Sequence, residues 1–187
     1  MTFQKEKKEF LTRIDKSRKG SVDKKIKSLI DKINSKEDFF TTSSCSGRVL
    51  ILVPYKNNRK DKTKWLFSSH DKISFKNIKK ALEKLPKKDV WFKAEAAILH
   101  VACKDKDEAI KFLNIARDSG FRRSGIISIR KNSFILEIVS TEKIETIISK
   151  NGKLIVGEDY IKILIKENNK KLENTWEKIK KLKSKIK

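Results

Sequence analysis

Short apolar runs joined across brief polar turns constrain this chain more than any other feature. Residues 48–55 read as a buried strand and residues 65–70 as a second one. The polar stretch Lys56 to Lys64 joins them as a hairpin whose tip carries a net charge of +4. Residues 125–130 and 134–140 pair in the same way across Lys131-Asn132-Ser133. Hairpins set successive strands antiparallel, so the sheet they build is antiparallel or mixed. A third strand region runs from Asp89 to Cys103, with an irregularity at Ala94-Glu95-Ala96-Ala97. No Gly-x-Gly-x-x-Gly follows a strand, and no acidic residue closes a second βα unit. That argues against a doubly wound nucleotide-binding fold.

Helical spacing fills the intervals. Phe3, Phe10, Leu11 and Ile14 mark a short amphipathic helix over residues 2–15. Ser21 is placed to cap a second helix with Val22, Ile26, Leu29, Ile30 and Ile33 on one face. Ser74 is placed to cap a third, with Phe75, Ile78, Ala81, Leu82 and Leu85 inward and Pro86 at its end. Asp107 to Ser119 is a fourth, stopped by Gly120. A short helix over 141–150, an Asn151-Gly152 turn and a small strand at Leu154-Ile155-Val156 follow. From about Glu158 a long helix closes the chain. Its seam of Ile165, Asn168, Leu172, Thr175, Ile179, Leu182 and Ile186 packs on the body or on another copy. The order predicts an α+β architecture with loose pseudo-duplication about its centre. It reads as one domain over 1–187: N-terminal helices over 1–40, a sheet core over 41–157 and a basic helix over 158–187.

Charge bears on the partner. Forty-seven Lys and Arg against 24 Asp and Glu give a formal net charge of +23. An excess of that size suits a polyanion such as RNA. Residues 166–187 alone hold nine lysines against three glutamates. No apolar run approaches the ~20 residues of a membrane span, and the first residues lack the apolar core of a secretory signal. Cys45 and Cys103 form no disulfide framework, and reduced thiols in a cytoplasmic protein are the expectation.

Three places carry chemistry. Thr41-Thr42-Ser43-Ser44-Cys45-Ser46-Gly47-Arg48 reads as a loop of hydroxyls, exposed N–H groups, a glycine and a guanidinium, a cradle for a phosphate or carboxylate. The only histidines, His70 and His100, lie at strand ends, where either a core role or a site role is possible. A zinc site would need both of them with Cys45 and Cys103, at spacings that match no common pattern. Gly120-Phe121-Arg122-Arg123-Ser124-Gly125 sets an aromatic and two arginines between a helix and a strand. It suits a base and a phosphate, or is a plain helix cap.

These segments resemble one family in order and spacing. The Ser-Ser-Cys-Ser-Gly-Arg stretch, Trp65-Leu66 with Ser69-His70, Leu99-His100-Val101, and Gly120-Phe121-Arg122 with Ser124-Gly125-Ile126 are similar to the third wybutosine-synthesising protein family. Asp15 with Lys19-Gly20-Ser21 and Asp23 fits upstream. Gly152-Lys153-Leu154, Glu158 with Tyr160-Ile161, and Asn169 with Lys171 fit downstream. The resemblance runs from about residue 10 to 180. Three positions depart from the family: Val139 before Ser140-Thr141 replaces an arginine, and Thr146 and Ala96-Ala97 stand where prolines are expected.

The resemblance implies an S-adenosylmethionine-dependent tRNA methyltransferase outside the Rossmann methyltransferase fold. Its target is N4 of the wyosine-type base made from guanosine 37 of phenylalanine tRNA. His70, with Asp71 beside it, is then the candidate base or orienter. Ser43, Ser44, Ser46, Gly47 and Arg48 hold the cofactor carboxylate or a substrate phosphate. Trp65 stacks on adenine or the modified base, and Glu95 and His100 take ribose hydroxyls or move protons. Phe121, Ser124 and Gly125 face the substrate, while Lys19, Arg122 and the C-terminal lysines meet tRNA phosphates. No metal is expected. The rival class is a non-catalytic basic RNA-binding protein, which explains the charge but not the Ser-rich motif.

Overall fold

The computed structural model describes residues 2–12, 21–55 and 63–187. In chain order the elements are α1 (Phe3–Leu11), α2 (Lys24–Asn34), β1 (Phe39–Cys45), β2 (Arg48–Val53), β3 (Lys64–Ser69), α3 (Phe75–Glu83) and β4 (Val90–Glu95). There follow β5 (Ile98–Cys103), α4 (Lys106–Asp118), β6 (Gly125–Arg130), β7 (Ser133–Val139), β8 (Ile144–Lys150), β9 (Lys153–Leu154) and α5 (Glu158–Lys185). Two sheets form, in the orders β1-β5-β7-β6 and β3-β2-β4-β8-β9, and every pair is antiparallel. The α+β class and the long last helix follow the sequence reading.

The chain divides into two compact units. One holds residues up to Ser46, Ala97–Thr141 and Thr175–Lys187. Its sheet is covered on one face by α2, α4 and the end of α5. There Ile26, Leu29, Ile33, Val101, Phe112, Leu136, Ile138 and Leu182 make one apolar cluster. The alternation of a strand turns neighbouring residues to the other face. Phe40, Ala102 and Ile135 therefore meet Phe3 and Phe10 of α1 in a smaller cluster. The other unit holds Gly47–Ala96 and Glu142–Asn174. Val49, Ile51, Phe92 and Ile148 of its sheet pack with Ile78 of α3 and Ile161, Leu164 and Ile165 of α5.

The seam read on the last helix is buried along its whole length, Ile165, Asn168, Leu172, Thr175, Ile179, Leu182 and Ile186 alike. Ser74 begins α3 as expected, its N–H and hydroxyl both donating to Asn77 Oδ1. The second helix starts later than Ser21. Asp23 is its N-cap residue, and Val22 stays 40% exposed.

Two elements depart from the sequence reading. The Ser/Thr-rich stretch is not a loop but the edge strand β1, and only Ser46-Gly47 remains between it and β2. An edge strand takes its hydrogen bonds from one neighbour, here β5, so it needs no continuous apolar pattern. Residues 141–150 are not a helix. Ile144, Thr146, Ile147 and Ile148 are β-branched and stiff at the first side-chain torsion, and they form β8 against β4. The irregularity after residue 94 is the passage from β4 in one sheet to β5 in the other.

Candidate functional site

Six of the candidate residues fall in the unit that begins at Gly47. Gly47 has φ +88, a left-handed conformation that glycine adopts without steric cost. Its carbonyl is 3.0 Å from His70 Nδ1. A carbonyl only accepts, so Nδ1 carries the proton, and in the neutral ring Nε2 carries the lone pair. Arg48 opens β2 and lies in register with Glu95 of β4. Arg48 Nε donates to Glu95 Oε2 at 2.6 Å, and the guanidinium carbon sits 4.7 Å from the centre of the Trp65 ring on β3. The two charged side chains keep 20% and 34% exposure, so solvent reaches them. Asp71 is exposed just beyond β3, where its N–H donates to Ser69 Oγ.

The other unit holds a second set. Ser43 on β1 is exposed, with Oγ 2.8 Å from His100 Nδ1 on β5. His100 Nε2 is 3.3 Å from Glu137 Oε1 on β7. Ser44 pairs with Leu99. Ser46 differs from its neighbours. It is fully buried, and both its N–H and its hydroxyl donate to Asp23 Oδ2, at 2.9 and 3.2 Å. Those bonds make Ser46 a support for the turn before Arg48. Cys103 lies in the core, and burial, then Glu108 and Asp105, push its thiol well above the ordinary range.

The Gly120–Gly125 segment is also in this unit, and its residues have different fates. Phe121 is 2% exposed in the core cluster, so its ring is not open to a base. Ser124 is buried, donates to the Phe121 carbonyl and accepts the Val139 N–H. Arg117 Nη2 donates to the Ser124 carbonyl at 3.1 Å. Arg122 is exposed and lines a cavity of about 480 Å3 with Arg117, Asp118, Gly120 and Lys181. Gly125 opens β6 with nothing within 4 Å of the space a Cβ would take. Lys19 and most of the Lys56–Lys64 tip lie outside the described residues.

Sequence reasoning missed two residues. Glu137 is one of them, and its signal was a lone acid inside the apolar run Phe134-Ile135-Leu136-Glu137-Ile138-Val139. Asp23 was noted only for its fit to a motif, because nothing local says that its carboxylate turns toward Ser46.

The chain belongs to a class of methyltransferases. A family model described as Methyltransferase TYW3 matches residues 5–187, and the chain is a member of that family. It is 38% identical over 185 residues to a Pyrococcus horikoshii protein, covering 98% of this chain and 94% of that one. That relative is named tRNA(Phe) 7-((3-amino-3-carboxypropyl)-4-demethylwyosine(37)-N(4))-methyltransferase 1. The tRNA wybutosine-synthesizing protein 3 homolog of Bos taurus is 37% identical over 180 residues, 95% of this chain and 69% of the relative. A solved structure of a Pyrococcus horikoshii protein matches with a TM-score of 0.91 at 38% identity, covering 100% of this chain and 96% of that one. Among the described residues no helix is long and apolar enough to cross a membrane.

Proposed function

We propose that this chain methylates N4 of the 4-demethylwyosine-type base at position 37 of phenylalanine tRNA, with S-adenosylmethionine as methyl donor. The observation that carries the reading is the 38% identity, over 98% of the chain, to a relative named for that reaction.

The donor set in the Gly47 unit fits the cofactor. A guanidinium suits a carboxylate or a phosphate, a carboxylate accepts from ribose hydroxyls, and an indole ring stacks on adenine. Arg48, Glu95 and Trp65 supply those three groups. When bound, S-adenosylmethionine supplies an electrophilic methyl group on sulfur. The chain's own work is alignment and proton removal. His70, held through Nδ1 by the Gly47 carbonyl, takes at Nε2 the proton that leaves the ring nitrogen. Asp71 orients the approach from the end of β3.

The direct test supplies tritiated S-adenosylmethionine and phenylalanine tRNA carrying the demethylated base. One methyl per tRNA at base 37 is the expected product. No transfer, together with no calorimetric binding of the cofactor, would remove the reading.

The tRNA phosphates meet the basic face of the Thr175–Lys187 unit. Arg122 and Lys181 line one cavity there, with Asp118 as the acid among them. Asp118 is itself paired with Lys185 at 3.7 Å. Its lining side chains are three cations and one acid, which suits contacts to backbone phosphates. Arg122→Ala and Lys181→Ala should each lower the slope of log affinity against log salt by about one. Filter binding of tRNA across a salt series measures this, and slopes equal to wild type would move the phosphate contacts elsewhere.

A further inference from the structure

One row of the four-stranded sheet is unlike the rest of this basic chain. Ser43 on β1 is in register with His100 on β5, His100 with Glu137 on β7, and Glu137 with Gly125 on β6. The row therefore crosses all four strands. It lies on the α1 face, because Ala102 and Ile135, two residues along from His100 and Glu137, pack against Phe3. Toward Ser43, His100 and Glu137 that face remains partly open. Ser43 is exposed, and the His100 and Glu137 side chains keep 27% and 37% exposure. Gly125 leaves open space beside Glu137.

Hydrogen-bond direction along the row is fixed by its end. The Glu137 carboxylate only accepts, so His100 Nε2 is the donor at 3.3 Å. In the neutral ring Nδ1 is then an acceptor, and the Ser43 hydroxyl donates to it at 2.8 Å. Once those two bonds are made, the row has only acceptors left for a ligand: the Ser43 oxygen lone pairs and the remaining capacity of the carboxylate. Its one acid, Glu137, stands in a chain of net charge +23. A carboxylate or phosphate meets no donor there, whereas a cationic donor is matched in hydrogen bonding.

We propose that the Ser43–His100–Glu137–Gly125 row binds the α-ammonium of a 3-amino-3-carboxypropyl group. The proposal rests on the methyltransferase reading above. That same group occurs on both molecules the reading requires. It is the amino-acid end of S-adenosylmethionine, and it is the side chain of the base in the relative's name. Glu137 is the principal acceptor, Ser43 the second, and His100 the positioning residue that orients both. Gly125 keeps the place beside the carboxylate open.

Two binding arms separate the two sources. The cofactor arm compares the Kd of S-adenosylhomocysteine with that of 5′-methylthioadenosine, which lacks the amino-acid end. The substrate arm compares the KM of tRNA carrying the aminocarboxypropyl base with that of tRNA carrying 4-demethylwyosine. Glu137→Gln should cut the discrimination at least tenfold in one arm, and the arm affected names the source. Gly125→Val, which places a side chain in the open space, should act in the same direction. A third readout is the nitrogen chemical shifts of His100, expected to show the proton of the neutral ring on Nε2. Discrimination within tenfold of wild type in both arms, or the proton on Nδ1, overturns the proposal. Wild-type protein that binds S-adenosylhomocysteine and methylates tRNA while the variants keep their discrimination sinks the row alone. Wild-type protein that does neither sinks the methyltransferase reading and the row with it.

Discussion

His70→Ala should lower the rate of methyl transfer by about 10²–10⁴-fold, the span general bases usually contribute. Binding of S-adenosylmethionine should change little, since the groups assigned to hold it are Arg48, Glu95 and Trp65. The reason for singling out His70 is its fixed tautomer. The Gly47 carbonyl takes the Nδ1 proton, which leaves Nε2 as the basic atom when the ring is neutral. His70→Gln retains an amide donor toward Gly47 but has no basic nitrogen, so it should be nearly as slow as the alanine variant. Single-turnover rates at saturating cofactor, set beside calorimetric Kd values, separate the two effects. A variant that transfers methyl groups at the wild-type rate would take His70 out of the chemistry. One that loses cofactor binding as well would make it a ligand of the cofactor instead.

The second large effect is on stability. Asp23→Ala should destabilise the protein by about 2–6 kcal/mol, because a buried donor stripped of its acceptor costs roughly 1–3 kcal/mol and two donors depend on this carboxylate. They are the N–H and hydroxyl of Ser46, which is fully buried. Asp23→Asn keeps one carbonyl acceptor and should recover part of the loss. Urea unfolding measures the difference, and an alanine variant within 0.5 kcal/mol of wild type, the usual range of surface substitutions, would show that the turn does not need this anchor.

Legibility followed the range over which each interaction acts. The seam of the last helix was readable residue by residue because its burial repeats at helical spacing within one segment. The capping of α3 by Ser74 was readable for the same reason, though its partner Asn77 was not named. Edge strand β1 was not, since its order comes from β5 across a gap in sequence, and a run of hydroxyls looks like a loop when its neighbour is unknown. The β-branched run at 144–148 lost to a helical reading because four such residues also satisfy a short helix pattern. At the candidate site, residue identity was legible but partnership was not. Arg48 and Glu95 were both named, 47 positions apart, yet only the register of β2 and β4 makes them a pair. Phe121 was named for its ring, and only the packed core shows the ring to be closed off. Glu137 went unnamed because its importance lies in His100, 37 positions away.

The two cysteines differ in exposure, and that gives the protein a built-in reporter position. Cys103 is enclosed in the core, with a thiol that resists ionisation. Cys45 is half-buried at the end of β1, one residue before the Ser46-Gly47 turn. Thiol alkylation proceeds through the thiolate. A maleimide dye added to the native protein is therefore directed to Cys45 alone, without any engineered cysteine. A fluorophore there stands at the end of the edge strand that carries Ser43, and its emission can follow the arrival of ligands at that sheet in real time.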